Sequence, residues 1–576
     1  MLVRTRECLE LAMDIVKSNL FKVLFAAIIL TFSIHGFTLF EKYLITDDIA
    51  QHHIWLDAGT GNGLESNDPW IIASKAIQPY FLSFIDRVAH LCVPTLLVGK
   101  CIALLSFALT CVLVFALGKE FANNSVGWVA LSLFCISDAW IGMSGGFARA
   151  FAWPLVALFL YGSARQNNSL IGLSLFASAA LYPIVFVLVL PAWLMILFYD
   201  AFFGRDHTET LVRSWNLFHQ QRLQLLAIVS GALLVLLKSH ELSTHYMIGS
   251  QVSLAELQTS PLYGPEGRWP LWPQSNLLPS LTWSLMPWGK SFFEPLARHI
   301  NTNSYLVLFE TIFSFISIVA PLFSLYLVKK TRSRNAFILL SFASSGVVTF
   351  LLAKIFLPKL YEPSRYLVWS MPLLAILCWS LLFNHLLSKI KNDKFNKIAV
   401  GVFCLLVLTR YAAIRGKGAE DVSEYSFLYQ RLSQTKKQDI IASIPRTSDF
   451  IPVFANRSIF VSHESSHAVL FSNYRNLVVS RQDLFVEAFY SMKSAAIEEM
   501  VSDHGVDWFI VEEKYYTGNL PADFHFAPYK NKIIDSLKLF PEPFLLKFAR
   551  IYGETLQEGT YLIDAKTLEA HKYSLE

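Results

Sequence analysis

The first apolar run of the chain is followed by the sequence Tyr43-Leu-Ile-Thr-Asp47-Asp48-Ile-Ala-Gln51-His52-His53-Ile-Trp55-Leu-Asp57. Asp47 and Asp48 are adjacent carboxylates just beyond an apolar run, where charge is costly unless it is solvated, paired or bound to a cation. In one interpretation, either acid caps a helix that begins outside a membrane. In the other, one carboxylate takes a proton from a substrate while its neighbour orients a divalent cation.

The apolar run before this sequence is one of many in the chain. Of the 576 residues, 54% are hydrophobic and only 16% are charged, whereas soluble domains carry about 25% charged residues. This composition excludes an ordinary soluble enzyme, a disordered chain and a nucleic-acid-binding protein. A membrane-spanning helix needs about 20 apolar residues, and about eleven spans are predicted, near 20–41, 93–118, 125–142, 150–164, 169–182, 184–203, 223–238, 304–328, 336–357, 365–386 and 397–415. The run 169–203 is divided at Tyr182-Pro183, because proline interrupts a helix.

Basic residues predict the orientation of these spans. With the N-terminus in the cytoplasm, the inner segments carry Arg4, Arg6, Lys17, Lys119, Arg165, Arg205, Arg213, Arg222, Lys329, Lys330, Arg332, Arg334, Lys389, Lys391, Lys394 and Lys397. The short outer loops contain few basic residues, which is the positive-inside pattern. The sequence therefore predicts that residues 43–92, 143–149, 239–303, 358–364 and everything after 416 lie outside the cytoplasm.

The composition changes after Arg415. Residues 416–576 mix charged and polar residues over a length that suits one small soluble domain. Short β-rich runs at 458–461, 477–480, 508–511 and 561–563 alternate with helix-like stretches such as 483–501. The sequence therefore predicts a transmembrane region, 1–415, followed by an extracytoplasmic α/β domain, 416–576.

Three features together resemble the GT-C superfamily of integral-membrane glycosyltransferases: the acidic pair in a long first outer loop, the many spans and the C-terminal domain outside the cytoplasm. That superfamily includes oligosaccharyltransferases, protein O-mannosyltransferases and bacterial aminoarabinose transferases. The resemblance implies a polytopic α-helical fold in a plasma membrane. It also implies transfer of a sugar from a polyprenyl-phosphate or polyprenyl-diphosphate carrier to a lipid, glycan or protein acceptor. The chain has no Trp-Trp-Asp signature of oligosaccharyltransferases, so peptide Asn is not implied as the acceptor.

The resemblance also implies roles for residues of the first outer loop. The superfamily's acidic pair corresponds to Asp47-Asp48, with Asp47 as the catalytic base. His52, from the same loop, is assigned to substrate binding. A divalent cation, Mg²⁺ or Mn²⁺, would be held by Asp48 and by Asp138 in the following outer loop.

Asp138 belongs to a second candidate site, Ser137-Asp138-Ala-Trp140-Ile-Gly142-Met-Ser-Gly145-Gly146-Phe-Ala-Arg149. An acid near membrane depth that faces an arginine across a glycine-rich turn is a candidate functional site. Glycines also allow the backbone to approach a ligand closely. Asp138 and Arg149 are therefore predicted to bind substrate. The alternative is an Asp138–Arg149 ion pair that braces the helix connection.

A third candidate site is Pro358-Lys359-Leu-Tyr361-Glu362-Pro363-Ser-Arg365-Tyr366. Arginine suits bidentate contact with phosphate, and Pro363 favours a helix start whose first-turn amides attract anions. Arg365 is therefore predicted to bind the lipid phosphate, as a late outer-loop arginine does in many GT-C members. The alternative is an interfacial anchor made of Lys359, Tyr361 and Tyr366.

The long outer loop 239–303 is rich in tryptophan and proline. Trp269 is assigned to substrate binding, because an indole stacks on a sugar ring and a proline-rich loop could act as a lid over a membrane cavity. A belt of tryptophans at the membrane interface would give the same composition.

Two other functions remain open. His463-Glu464-Ser-Ser-His467 has the spacing with which a helix places two imidazoles on zinc in a metallopeptidase. It directly follows a β-like run, however, which argues against that helix. A transporter or flippase is the other alternative. Lys100 and Lys354 fall within predicted spans, but the chain lacks the matching halves that many transporters show.

Overall fold

The computed structural model describes residues 19–61, 64–203, 221–259, 333–357, 359–360, 362–390, 392–408, 416–464, 470–521, 524–525 and 527–571, together with the single positions 263, 277, 281, 284, 285 and 326. The described part is mainly helical, with one small sheet near the C-terminus.

Long apolar helices make up the first two thirds of the described chain. Six of the described helices are long and apolar enough to cross a membrane: Phe21–Leu39, Thr95–Phe121, Pro183–Phe202, Arg222–Thr244, Arg334–Ile355 and Ser364–Ser388. Shorter apolar helices are Asn124–Cys135, Ala148–Ala164 and Asn168–Leu181. Another helix is Asp393–Leu408. The predicted polytopic α-helical membrane fold is confirmed, while the number of crossings stays a prediction. The predicted span 304–328 lies outside the described residues except at Tyr326.

The predicted break at Tyr182-Pro183 is confirmed. One helix ends at Leu181 and the next, Pro183–Phe203, begins at the proline. Proline suits the first position of a helix because its missing N–H would have no partner inside the helix there. The long apolar run is therefore two helices rather than one.

Small residues allow the apolar helices to pack closely. A Cβ atom at Gly118 would lie 3.0 Å from the Cα atom of Gly127 on the next helix. Such close contact is typical of helix pairs in membranes, where dispersion forces replace the hydrophobic effect. Large side chains on the outer surface, including Leu105, Leu226 and Leu236, are exposed. A lipid environment would cover these side chains.

The C-terminal part contains a sheet of five strands, β3 (Ile440–Ala442), β4 (Ser458–Ile459), β5 (Val506–Glu512), β6 (Glu554–Gln557) and β7 (Thr560–Asp564). Their order in the sheet is β4-β3-β5-β7-β6. β3 is parallel to β4 and β5, while β7 is antiparallel to β5 and β6. The surrounding helices are Ser426–Leu432, Pro445–Ser448, Ile451–Ala455, Ser472–Tyr490, Ala495–Ser502, Ala527–Leu539, Phe544–Tyr552 and Ala565–His571. The predicted α/β class of this region is confirmed.

One predicted strand is wrong. Residues 477–480 lie inside the helix Ser472–Tyr490. Tyr474, Val478, Phe485 and Phe489 are buried along that helix, at spacings of four, seven and four residues. Since one face of a helix repeats with this period, burial of the face outweighed the β preference of Leu477, Val478 and Val479.

The first outer loop and the C-terminal part are directly joined. The described loop contains the helices Asp47–His52, Pro69–Ala76 and Tyr80–His90. β1 (Leu44–Ile45) pairs antiparallel with β2 (Glu420–Asp421). The indole Nε1 of Trp70 donates a hydrogen bond of 2.7 Å to the carbonyl oxygen of Ile459 in β4. These contacts bring the two segments together, and their side of the membrane stays a prediction. The domain boundary between 415 and 416 stays a prediction.

Candidate active site

Asp47 and Asp48 begin a short helix, Asp47–His52, called the acid helix below. Its N-cap residue is Thr46, whose side chain makes no capping hydrogen bond. The interpretation of either acid as the N-cap is therefore wrong. Both carboxylates lie in the first turn, where the helix dipole stabilises negative charge. The backbone N–H of Asp48 donates a hydrogen bond of 2.9 Å to Oδ1 of Asp47.

Arg149 binds the acidic pair from the second outer loop. Its Nε donates a hydrogen bond of 2.6 Å to Oδ2 of Asp48, and its Nη2 lies 3.9 Å from Oδ1 of Asp47. The side chain of Asp48 is 8% exposed, whereas that of Asp47 is 34% exposed. Burial raises the pKa of Asp48 to about 6, against the opposing charge of Arg149. Asp48 is thus enclosed by the protein, and Asp47 is open to a substrate.

The two glycines of the second loop explain how Arg149 reaches the acids. The segment 144–149 is called the glycine turn below. A Cβ atom at Gly145 would overlap the side chain of Asp48, and one at Gly146 would overlap the backbone of Gly99. Gly146 also has a φ of +66°, which glycine adopts at little cost. The glycines bring the turn close to the acid helix and to Gly99 of the helix Thr95–Phe121, while the predicted approach to a ligand stays a prediction.

His52 lies between the acidic pair and the glycine turn. Its Nε2 is 4.0 Å from Oδ1 of Asp48. Its ring stacks on that of Phe147 with centroids 3.7 Å apart. The predicted residues Asp47, Asp48, His52 and Arg149 are therefore neighbours in space.

Asp138 has a partner that the sequence did not suggest. Oδ1 of Asp138 lies 3.4 Å from Nζ of Lys417, just after the last apolar helix. Arg149 forms its short contact with Asp48. It therefore links two different loops, and the alternative in which it stabilises its own helix connection through Asp138 is wrong. The sequence missed Lys417 because only tertiary packing brings it to Asp138.

Arg365 lies in the first turn of the helix Ser364–Ser388, as predicted, and Pro363 is the N-cap residue. Nε of Arg365 donates a hydrogen bond of 3.0 Å to Oε2 of Glu362. Burial is the largest influence on the pKa of Asp48 and raises it. The positive charge of Arg149 lowers this pKa, and the charge of Arg365 also lowers it. The charge of Arg365 therefore acts on Asp48.

Of the three residues of the alternative interfacial anchor, Lys359 and Tyr366 are among the described residues. Tyr366 is buried, and its hydroxyl donates a hydrogen bond of 2.8 Å to the carbonyl oxygen of Leu360. Tyr361 lies outside the described residues, as does Trp269 of the long outer loop. The substrate-binding role assigned to Trp269 stays a prediction.

The His463-Glu464 sequence lies against the acid helix. Oε1 of Glu464 accepts a hydrogen bond of 3.0 Å from Nη1 of Arg446, and its Oε2 accepts one of 3.3 Å from Nε2 of Gln51. Nη2 of Arg446 also donates a hydrogen bond of 2.6 Å to Oε1 of Glu420 in β2. Glu464 therefore links the C-terminal part to the acid helix. His467 lies outside the described residues, so the zinc-peptidase alternative is not tested.

An apolar cavity of about 290 Å³ lies among the ends of three membrane helices, Asn168–Leu181, Pro183–Phe203 and Arg222–Thr244. Most of its wall is apolar, and Lys238 and Lys359 also line it. Lys238 is paired with Glu241, with Nζ 3.3 Å from Oε2. Lys359 belongs to the same outer loop as Arg365.

No protein-family model and no curated protein matches the sequence of this chain. Solved structures do match. The oligosaccharyltransferase of Archaeoglobus fulgidus, tethered to an acceptor peptide with an NVT sequon, superposes with a TM-score of 0.52 at 12% identity, over 91% of this chain and 72% of that one. The chain has the fold of this oligosaccharyltransferase. The fold expected from the resemblance is confirmed.

Two further solved structures match at similarly low identity. The Archaeoglobus enzyme in complex with Zn and sulfate gives a TM-score of 0.51 at 11% identity, over 86% of this chain and 68% of that one. ArnT from Cupriavidus metallidurans, bound to undecaprenyl phosphate, gives a TM-score of 0.48 at 10% identity, over 93% of this chain and 96% of that one.

Proposed function

We propose that the chain is a GT-C-type glycosyltransferase. It moves a sugar from a polyprenyl-phosphate or polyprenyl-diphosphate carrier to a lipid, glycan or protein acceptor on the outer face of the plasma membrane. The observation that carries this proposal is the pairing of an open carboxylate, Asp47, with an enclosed one, Asp48, that Arg149 binds at 2.6 Å. The fold shared with an oligosaccharyltransferase supports it.

The two carboxylates suit different tasks. Arg149 occupies Oδ2 of Asp48, and Asp47 is the more exposed of the two, so Asp47 is the base that an acceptor hydroxyl can reach. In the proposed reaction, Asp47 accepts the proton of the acceptor hydroxyl as its oxygen forms a bond to C1 of the sugar. The bond from C1 to the carrier phosphate breaks at the same time, and the phosphate leaves with the electron pair. Direct displacement of this kind inverts the configuration at C1.

The leaving phosphate needs positive charge. Arg365 supplies a planar guanidinium, which matches phosphate geometry better than an ammonium does. Charge stabilisation by groups that are already in place is a large source of rate enhancement in such reactions.

A divalent cation, Mg²⁺ or Mn²⁺, is part of the proposal. Its predicted ligands, Asp48 and Asp138, are each paired with a basic side chain. The described residues contain no group of three His, Cys, Asp or Glu side chains that could hold a metal ion. These carboxylates therefore fit only a cation that takes its other ligands from water and substrate phosphate, as Mg²⁺ commonly does. When bound, the cation would neutralise phosphate charge.

The experiment is a transfer assay with the purified full chain in lipid nanodiscs. Polyprenyl phosphates and diphosphates carrying radiolabelled sugars are supplied with lipid, glycan and protein acceptor fractions. We expect label to move from the carrier to one of these fractions. If no carrier loses its sugar and the labelled lipid crosses the bilayer of proteoliposomes instead, the flippase alternative replaces this proposal.

A further inference from the structure

A buried imidazole and a buried carboxyl lie behind the acid helix, and the proposed chemistry does not use either. His53 directly follows the acid helix, and Asp86 lies in the helix Tyr80–His90. Nδ1 of His53 is 3.5 Å from Oδ2 of Asp86, and both side chains are 0% exposed. Burial of two such groups is costly unless they compensate each other. Their position next to Asp48 therefore calls for a physical reason.

The other ring nitrogen of His53 contacts the glycine turn. Nε2 lies 3.2 Å from the carbonyl oxygen of Gly145. A carbonyl oxygen only accepts hydrogen bonds, so Nε2 carries the hydrogen. In the neutral imidazole, Nδ1 is then an acceptor, so a hydrogen bond across the 3.5 Å to Asp86 has to be donated by a protonated carboxyl group. Burial raises the pKa of Asp86 to about 8 and lowers that of His53 to about 4, which agrees with two neutral groups at pH 7.

The carbonyl that His53 binds is enclosed on its other sides. A Cβ atom at Gly99 would contact the carbonyl oxygen of Gly145 and would lie 3.1 Å from Cδ2 of His53. The Cα of Gly145 faces the side chain of Asp48 so closely that no Cβ fits between them. The carbonyl of Gly145 thus has His53 behind it and Asp48 beside it. Arg149 follows four residues later and binds the same acid.

We infer that Asp86 and His53 are positioning residues, which hold the glycine turn against the acid helix through the carbonyl oxygen of Gly145. Asp86 keeps the His53 ring in the tautomer with its hydrogen on Nε2. That hydrogen fixes Gly145, and the turn then presents Arg149 to Asp48. The consequence for sugar transfer rests on the proposed function, whereas the hold on the glycine turn does not.

Four variants separate this inference from simple filling of space. His53→Phe keeps a ring but removes the hydrogen, while His53→Gln keeps an N–H group that can reach Gly145. Asp86→Leu removes the donor to Nδ1, while Asp86→Asn replaces the neutral carboxyl with a neutral amide donor. We expect kcat to fall at least tenfold in the Phe and Leu variants with little change in KM for the sugar donor. The Gln and Asn variants should lose less than threefold.

The first measurement needs no substrate. Hydrogen–deuterium exchange of residues 143–150 is recorded on the full chain in nanodiscs for the wild type and the four variants. We expect faster exchange of this segment in His53→Phe and Asp86→Leu, and near wild-type exchange in His53→Gln and Asp86→Asn. The matched control is His90→Phe. His90 lies on the same helix as Asp86 and is partly exposed, with Nε2 3.9 Å from Oδ1 of Asp57; this variant should exchange like the wild type.

The outcomes are distinguishable. Wild-type exchange in His53→Phe, or equal damage from Asp86→Asn and Asp86→Leu, would overturn the inference. If His53→Phe or Asp86→Leu fails to fold, His53→Gln and Asp86→Asn decide the question. Faster exchange of the glycine turn in Asp86→Asn would then contradict a neutral His53–Asp86 pair. If the exchange pattern is as expected but the wild type transfers no sugar, the proposed function is wrong and the positioning of the turn stands.

Discussion

Burial and the charge of Arg149 act in opposite directions on the protonation of Asp48. Burial raises the pKa of Asp48 to about 6, and the charge of Arg149 opposes that rise. Below about pH 6 Asp48 is therefore mainly protonated and no longer offers a carboxylate to the proposed cation, so transfer should decline as the pH falls. Arg149→Gln removes the opposing charge, so we expect the acid limb of the pH–rate profile to move to higher pH. The profile of kcat against pH measures this shift.

The control for this prediction is Arg165→Gln. Arg165 is about half exposed, and its Nε lies 3.9 Å from Glu120 beyond the other end of the helix Ala152–Ala164. Its removal should leave the acid limb in place. An acid limb in Arg149→Gln that stays at the wild-type pH would show that Asp48 does not govern the profile.

Gly145 tests the close approach of the two loops. A methyl group at this position would overlap Asp48, so Gly145→Ala should cost about 1–3 kcal/mol of unfolding free energy, as overpacking does, and should reduce transfer. Gly401→Ala is the matched control, because a Cβ there meets nothing within 4 Å and lies on the helix Asp393–Leu408. Thermal unfolding of both variants in nanodiscs measures the difference, and equal melting temperatures would contradict the packing described here.

The sequence predicted the position of the acids but not their partners. Asp47 and Asp48 were visible as two charges beside an apolar run, and the glycines before Arg149 predicted a close backbone approach. The alternative to substrate binding paired Arg149 with Asp138, eleven residues away in the sequence, whereas its short contact is with Asp48. Contacts such as Asp138–Lys417 depend on how separate loops pack, and this packing cannot be predicted from the local sequence.

At the scale of elements, Arg446 joins β2 to the segment that faces the acid helix. It donates hydrogen bonds to Glu420 and Glu464, and the Glu464 side chain is buried. Arg446→Ala leaves that carboxylate without its cation, and breaking a buried pair in this way typically costs about 3 kcal/mol or more. We expect a lower melting temperature and earlier proteolysis at the contact of the C-terminal part with the first outer loop.

Arg550→Ala is the control for Arg446. Arg550 also contacts two glutamates, Glu513 and Glu542, but all three side chains are substantially exposed. Exposed pairs contribute about 0–1 kcal/mol, so this variant should unfold near the wild-type temperature. A larger loss in Arg550→Ala than in Arg446→Ala would contradict the assignment of Arg446 to the joint.

Element prediction succeeded where length and hydropathy dominate and failed where burial decides. The apolar helices and the break before Pro183 followed from run length and from the missing N–H of proline. The run 477–480 was predicted as a strand but is helical, because the buried face extends from Tyr474 to Phe489. β1 and β2 are two-residue strands paired across most of the chain, so neither has a pattern that local sequence could reveal.

At the scale of the molecule, the β1–β2 pairing predicts a shared side for the first outer loop and the C-terminal part. The basic residues predict that this side is outside the cytoplasm. A periplasm-dependent reporter fused after Glu576 should therefore be active, and a cytoplasm-dependent reporter at the same point should be silent. The reverse result would place Asp47 in the cytoplasm and remove the outer-face reaction.

The central claim is that Asp47 is the base of a sugar transfer. Asp47→Asn keeps the size of the side chain and removes its basicity, and a general base contributes about 10²–10⁴-fold. Asp57→Asn is the matched control in the same loop, because Asp57 contacts His90 rather than the acidic pair. The most direct measurement is kcat for transfer from a polyprenyl-phosphate sugar by purified wild type, Asp47→Asn and Asp57→Asn. The account predicts a loss of that size in Asp47→Asn alone, and near wild-type transfer by Asp47→Asn would contradict it.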